Sequence, residues 1–258
     1  MARYYDLVAG LPQLALRGGK SVPPYAGTLS ALADAMTPED ARGLRQLRLV
    51  HDVANLGARI LGLPQSFDAR GNWSPEKLAA EIERPDEMPD FMVEFVRKNG
   101  AGGFGALEGD FVVWANERTT GWVRSWLLFD FHVRAAANAL AARRSPRSAR
   151  RAELPRVDEI AAAIERSSAP DFGLSLPLPW LPALVSAFEA GPLQAELAAD
   201  EARWEMAGEL TSTETFSEGA IYAFAVRLGL ATRWAALDEE TGRRRLERLV
   251  DALQVTVP

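Results

Sequence analysis

The sequence predicts an all-α, multi-helix bundle, and three observations predict it. Between Thr120 and Arg144, Trp122, Trp126, Phe129, Val133, Ala137 and Leu140 recur in steps of four and three, the spacing of one helical face. Helix-start chemistry recurs along the chain and is clearest at Thr37-Pro38-Glu39-Asp40. There a capping hydroxyl precedes a proline and two acids suited to a first turn. From Pro179 onward every stretch reads helical: about 181–189, 192–210 after Gly191-Pro192, 217–236 after a Ser217 cap, and 239–253.

The helix over 120–144 is expected to be the one around which the others pack. Val123, Leu127, Leu128 and Phe131 fill much of its remaining circumference, so its first half should be buried nearly all round. Its second half, rich in Ala and Arg, should emerge toward solvent. On one flank Asp130, Arg134 and Asn138 follow at i, i+4 and i+8. They read either as an intrahelical ion pair with a polar neighbour or as a polar seam met by another helix or a partner.

Taken in order, Tyr4 to Leu11 is a short apolar run ended by Pro12, compatible with a strand or with one or two buried helical turns. Gly18, Gly19, Pro23 and Pro24 mark a loop,. The helix begun at Thr37 should run to Leu61 and stop at Gly62-Leu63-Pro64. Leu44, Leu47, Ala54, Gly57 and Leu61 form its apolar side, and Arg45, Arg48, Asp52, Asn55 and Arg59 a polar stripe. Two helices thus carry an Arg/Asp/Asn stripe beside a packed face, which is compatible with pseudo-repeated helical subdomains.

Ser74-Pro75-Glu76 opens a short helix closed by Pro85, and Pro89 starts another that Asn99-Gly100 stops,. The glycine-rich run 100–105 follows no clear strand and precedes no Gly-Lys-Ser/Thr, so it reads as a loop or hinge,. Leu107, Phe111 and Trp114 suggest a helix, although Val112-Val113 leaves a strand open. Arg143, Arg144, Arg147, Arg150 and Arg151 form a basic polar linker with no aromatic residue for base stacking,. Pro155 to Arg166 is a short helix with Val157, Ile160, Ala161 and Ile164 inward. The expected organisation is an N-terminal helical region over 1–144, a basic linker over 145–156 and a C-terminal helical region over 157–258.

Composition narrows the chemistry. Absence of cysteine excludes disulfides, zinc thiolates and cysteine nucleophiles,. A net charge of −6 disfavours general nucleic-acid binding,. Neither a signal peptide nor a membrane-spanning run is expected; the longest uncharged run, 172–188, contains Pro177, Pro179 and Pro182,. His51 and His132 lie in separate predicted helices and lack zinc-helix spacing; His132 reads as a satisfied core imidazole,. Asp171-Phe172-Gly173 resembles a kinase triplet, but no His-Arg-Asp or Val-Ala-Ile-Lys accompanies it,. Between Glu189 and Glu218 eight acids face one arginine, a solvated face or a dock for a basic partner.

Several strings, spread over nearly the whole chain, carry a resemblance. They are Tyr4-Tyr5-x-Leu7-Val8-Ala9-Gly10-Leu11-Pro12; Trp126-x-x-Phe129-Asp130 with Asn138 and Ala141-Ala142-Arg143; Asp171-Phe172-Gly173-Leu174; Glu201-x-x-Trp204; Phe216-x-Glu218 with Tyr222; and Arg233-Trp234-x-x-Leu237-Asp238. The sequence resembles a bacterial domain-of-unknown-function family encoded among V-type ATPase subunit genes. That resemblance implies a counterpart of the C/d-type stalk component of V/A-type ATPases, an elongated all-helical funnel without catalytic residues or cofactor. Its implied partners are the central-stalk subunits and the membrane rotor ring, and its implied location is cytoplasmic, held to the membrane through those proteins.

The leading expectation is therefore a non-catalytic V/A-type ATPase subunit or accessory, meeting partners through Arg45, Arg48, Asp52, Asn55, Asp130, Arg134 and Asn138. Two alternatives stand beside it: an RNA- or phosphate-binding module using Arg143–Arg151, and an enzyme with a cryptic carboxylate site.

Overall fold

Helix α3 (Pro38–Leu61) forms where the cap chemistry places it. The Asp40 N–H donates to the Thr37 hydroxyl at 3.2 Å, and Pro38 takes the first helical position,. Gly62 ends the helix in the left-handed region at φ 63°,. The structure, a computed structural model, describes residues 4–18, 21–144, 155, 157–211, 213 and 215–237. Among these lie eleven helices and no strand. Most of the basic linker and the helix expected over 239–253 lie outside the described residues.

The remaining helices are α1 (Tyr5–Ala9), α2 (Tyr25–Ala35), α4 (Pro75–Glu83), α5 (Asp90–Arg97), α6 (Gly103–Arg118), α7 (Gly121–Arg144), α8 (Glu159–Arg166), α9 (Leu181–Ala190), α10 (Pro192–Glu209) and α11 (Glu218–Ala235). The ambiguous runs at Tyr4 and Val112 resolve as helix. Helix α2 is not foreshadowed by the sequence pattern, because it starts at Pro24 with no side-chain cap and no acid in its first turn. The glycine-rich loop is shorter than expected: α6 begins at Gly103, the third of three glycines with positive φ,.

Helix α7 packs against α3, α6, α8, α9 and α10. Its aromatic face forms a continuous run: Trp122 and Trp126 stack with ring centroids 5.7 Å apart, Phe129 follows at 5.8 Å, and Trp180 meets Phe129 edge-on,. Val133, Ala135, Ala136 and Leu140 are also buried. The second half of α7 therefore reaches solvent later than expected, because α8 and α9 cover it.

One hydrophobic cluster draws on every helix from α2 to α11, so residues on both sides of 145–156 share a core. Helix α10 contributes the alanines Ala199, Ala202 and Ala207 to it, and Ala195 is buried as well, whereas Leu193 is exposed. The face read from Leu193, Leu197, Glu201 and Trp204 is not the packed one. Small side chains let α10 lie close to its neighbours, and that closeness positions its charged groups.

Candidate functional site

The α3 stripe turns inward onto its own chain. Asp52, 1% exposed, accepts the Asn72 N–H at 2.8 Å, the Asn72 side-chain amide at 2.6 Å and the Trp73 N–H at 3.3 Å. Burial pushes its carboxyl up to about 6 despite those donors,. Asn55 exchanges two hydrogen bonds with the main chain of Asp68, donating at 2.9 Å and accepting at 2.8 Å. Arg48 donates to the carbonyls of Arg70, at 2.9 Å, and Gly71. The exposed Arg45 joins only through its carbonyl, which accepts from the Asn72 amide.

Together these bonds fasten the 68–73 turn to α3 and aim Arg70 at α11. Arg70 binds the Asp68 carboxylate at 2.6 and 2.9 Å and donates to the Gly229 carbonyl at 3.2 Å. Asp68 also lies 2.9 Å from His51 Nδ1. Burial works to raise the Asp68 carboxyl, but His51 and Arg70 outweigh it and hold it well below the usual carboxylate range. Burial lowers His51 in turn, favouring its neutral form, in which Nδ1–H donates to Asp68,.

The α7 stripe enters an ion-pair ladder across four helices. Glu108 of α6 binds Arg134, which binds Asp130 one turn away at 3.0 Å. Arg203 of α10 reaches Asp130 at 2.7 Å and Asp200 at 3.0 Å. Arg233 of α11 then joins Asp200 to Glu196, and the Trp234 indole donates to Asp200 at 2.9 Å. Acid and base alternate through seven residues. Burial alone would raise Asp130, but Arg203 and Arg134 hold it at about 2, so it stays ionised at neutral pH and is a poor general acid.

Between the two stripes lies a cavity of about 370 Å³. Its walls bring together Arg48, Asp130, Arg134 and Asn138, four of the seven residues singled out from sequence. Asp52 and Asn55 sit behind the wall as supports, and Arg45 lies outside it. Sequence reasoning missed Tyr25, Arg70, Asp200, Arg203 and Arg233, which also line it. The Asp200–Arg203 spacing of three was the available signal, but it read as part of an acidic, solvated face.

Elsewhere the charged groups serve the fold. His132, 7% exposed, has Nε2 2.8 Å from Asp158, whose other oxygen caps α8 through the Ala161 N–H. Arg143 donates to the carbonyls of Ser167, Ala169 and Pro170 and lies 4.3 Å from the Phe172 ring centroid. Asp171-Phe172-Gly173 is the turn it stabilises, with Phe172 and Gly173 both at positive φ. Among the described residues no three His, Asp or Glu side chains converge as metal ligands, and no helix is long and apolar enough to cross a membrane.

The sequence model of a family described as a protein of unknown function, DUF2764, matches residues 1–257, and the chain belongs to that family. No curated protein and no solved structure matches it.

Proposed function

We propose that this DUF2764 member is a non-catalytic subunit or accessory protein of a bacterial V/A-type rotary ATPase, linking the central stalk to the membrane rotor ring. The observation that carries the reading is the ladder from Glu108 to Glu196, which cross-braces α6, α7, α10 and α11. A coupling element must keep its shape under torque, and removing one member of a buried ion pair leaves a costly unpaired charge. The resemblance of the motif strings to a family encoded among V-type ATPase subunit genes supports the assignment. With no membrane-crossing helix among the described residues, contact with the rotor ring would be made through protein surfaces.

Cell fractionation tests this. In cells that carry the ATPase genes the chain should sediment with membranes, and deleting the rotor-ring gene should release it. Unchanged distribution after that deletion would overturn the proposal.

A further inference from the structure

The cavity between α2, α3, α7, α10 and α11 has an uneven wall. Four of its arginines, Arg70, Arg134, Arg203 and Arg233, each bind a carboxylate. Arg48 does not: among the described residues its guanidinium bonds the carbonyls of Arg70 and Gly71, and the Asp52 carboxylate acts on it through space without an ion pair. Tyr25 lies beside it, with the ring centroid 6.0 Å from the guanidinium carbon. Leu44, Leu47, Leu127 and Leu230 are buried and form the floor.

A guanidinium fork suits a carboxylate in particular.

We propose that this cavity binds a small organic anion with an apolar body, a medium-chain carboxylate in class, its head at Arg48 and Tyr25 and its chain on the leucine floor. At about 370 Å³ the cavity is near the small end of small-molecule sites, which suits a single short chain and not a two-tailed lipid.

Calorimetric titration of the purified full chain tests this, with octanoate as probe, octanol as its neutral counterpart and inorganic phosphate as a head without a chain. Octanoate should fill one site with a Kd below about 1 mM, and the two controls should bind at least about tenfold more weakly. Arg48→Met should weaken octanoate about tenfold or more, the loss of one charge-assisted hydrogen bond. Because Arg48 also holds the 70–71 carbonyls, Asn138→Trp gives a second variant at an exposed rim position. It should block uptake and leave the Tm unchanged. Octanol binding as tightly as octanoate, no saturation by about 10 mM, or octanoate binding unaltered by both variants would overturn the proposal. The titration involves no ATPase subunit, so its failure is distinct from failure of the preceding reading.

Discussion

Arg203 and Asp130 meet at 2.7 Å across the α10–α7 interface, joining residues 73 positions apart. Asp130 is 9% exposed, and Arg203 keeps its charge because Asp130 and Asp200 outweigh the cost of burying it. Arg203→Leu should therefore cost about 1.5–3 kcal/mol, leaving Asp130 with Arg134 alone and Asp200 with Arg233 alone,. Asp130→Leu combined with Arg203→Leu should cost less than Arg203→Leu alone. Urea denaturation of the two variants measures both.

The ladder also sets a pH dependence. The folded Asp130 carboxyl is depressed to about 2, so its stabilisation, about 2 kcal/mol, is complete above the unfolded value near 4. It is lost as pH falls through 2. Asp52 runs in the opposite sense: raised to about 6, its contribution is complete below the unfolded value near 4 and lost as pH rises through 6. Carboxyl carbon NMR titration should find Asp52 titrating near 6 while Asp130 is still ionised at pH 4.

Close approach of α3 and α11 depends on Gly43. A Cβ there would overlap the Tyr222 ring, whose hydroxyl donates to the Asp40 carbonyl at 2.7 Å. Gly43→Ala should destabilise by about 1–3 kcal/mol through overpacking. Gly27→Ala in α2, where a Cβ meets nothing within 4 Å, should stabilise by about 0.5–1 kcal/mol. Thermal melts of the two variants should shift in opposite directions.

Trp126→Ala removes the middle ring of the Trp122–Trp126–Phe129 stack and should cost about 3–5 kcal/mol. Near-ultraviolet circular dichroism should lose aromatic intensity while the far-ultraviolet helical signal persists.

Local signals were legible in the sequence where one residue decides the outcome. Thr37, Pro38 and Gly62 fixed both ends of α3, and the four-and-three spacing around Trp126 identified the central helix. Legibility failed where partners are distant. Asp52 and Asn55 read as a surface stripe because nothing in the periodicity shows the 68–73 turn folding onto them. Helix α10 misled for the opposite reason: its packed face is alanine, and its large apolar residue Leu193 points outward. The cavity was half visible, since its α3 and α7 walls carried recognisable stripes, while Arg203 was hidden among acids and Arg233 stood on a helix whose spacing showed only its apolar face.

The most direct test of the functional account is quantitative co-purification of the tagged full chain from native membranes, followed by mass spectrometry against an untagged control. The account predicts enrichment of V/A-type ATPase central-stalk and rotor-ring subunits together. Recovery of the chain with neither would contradict it.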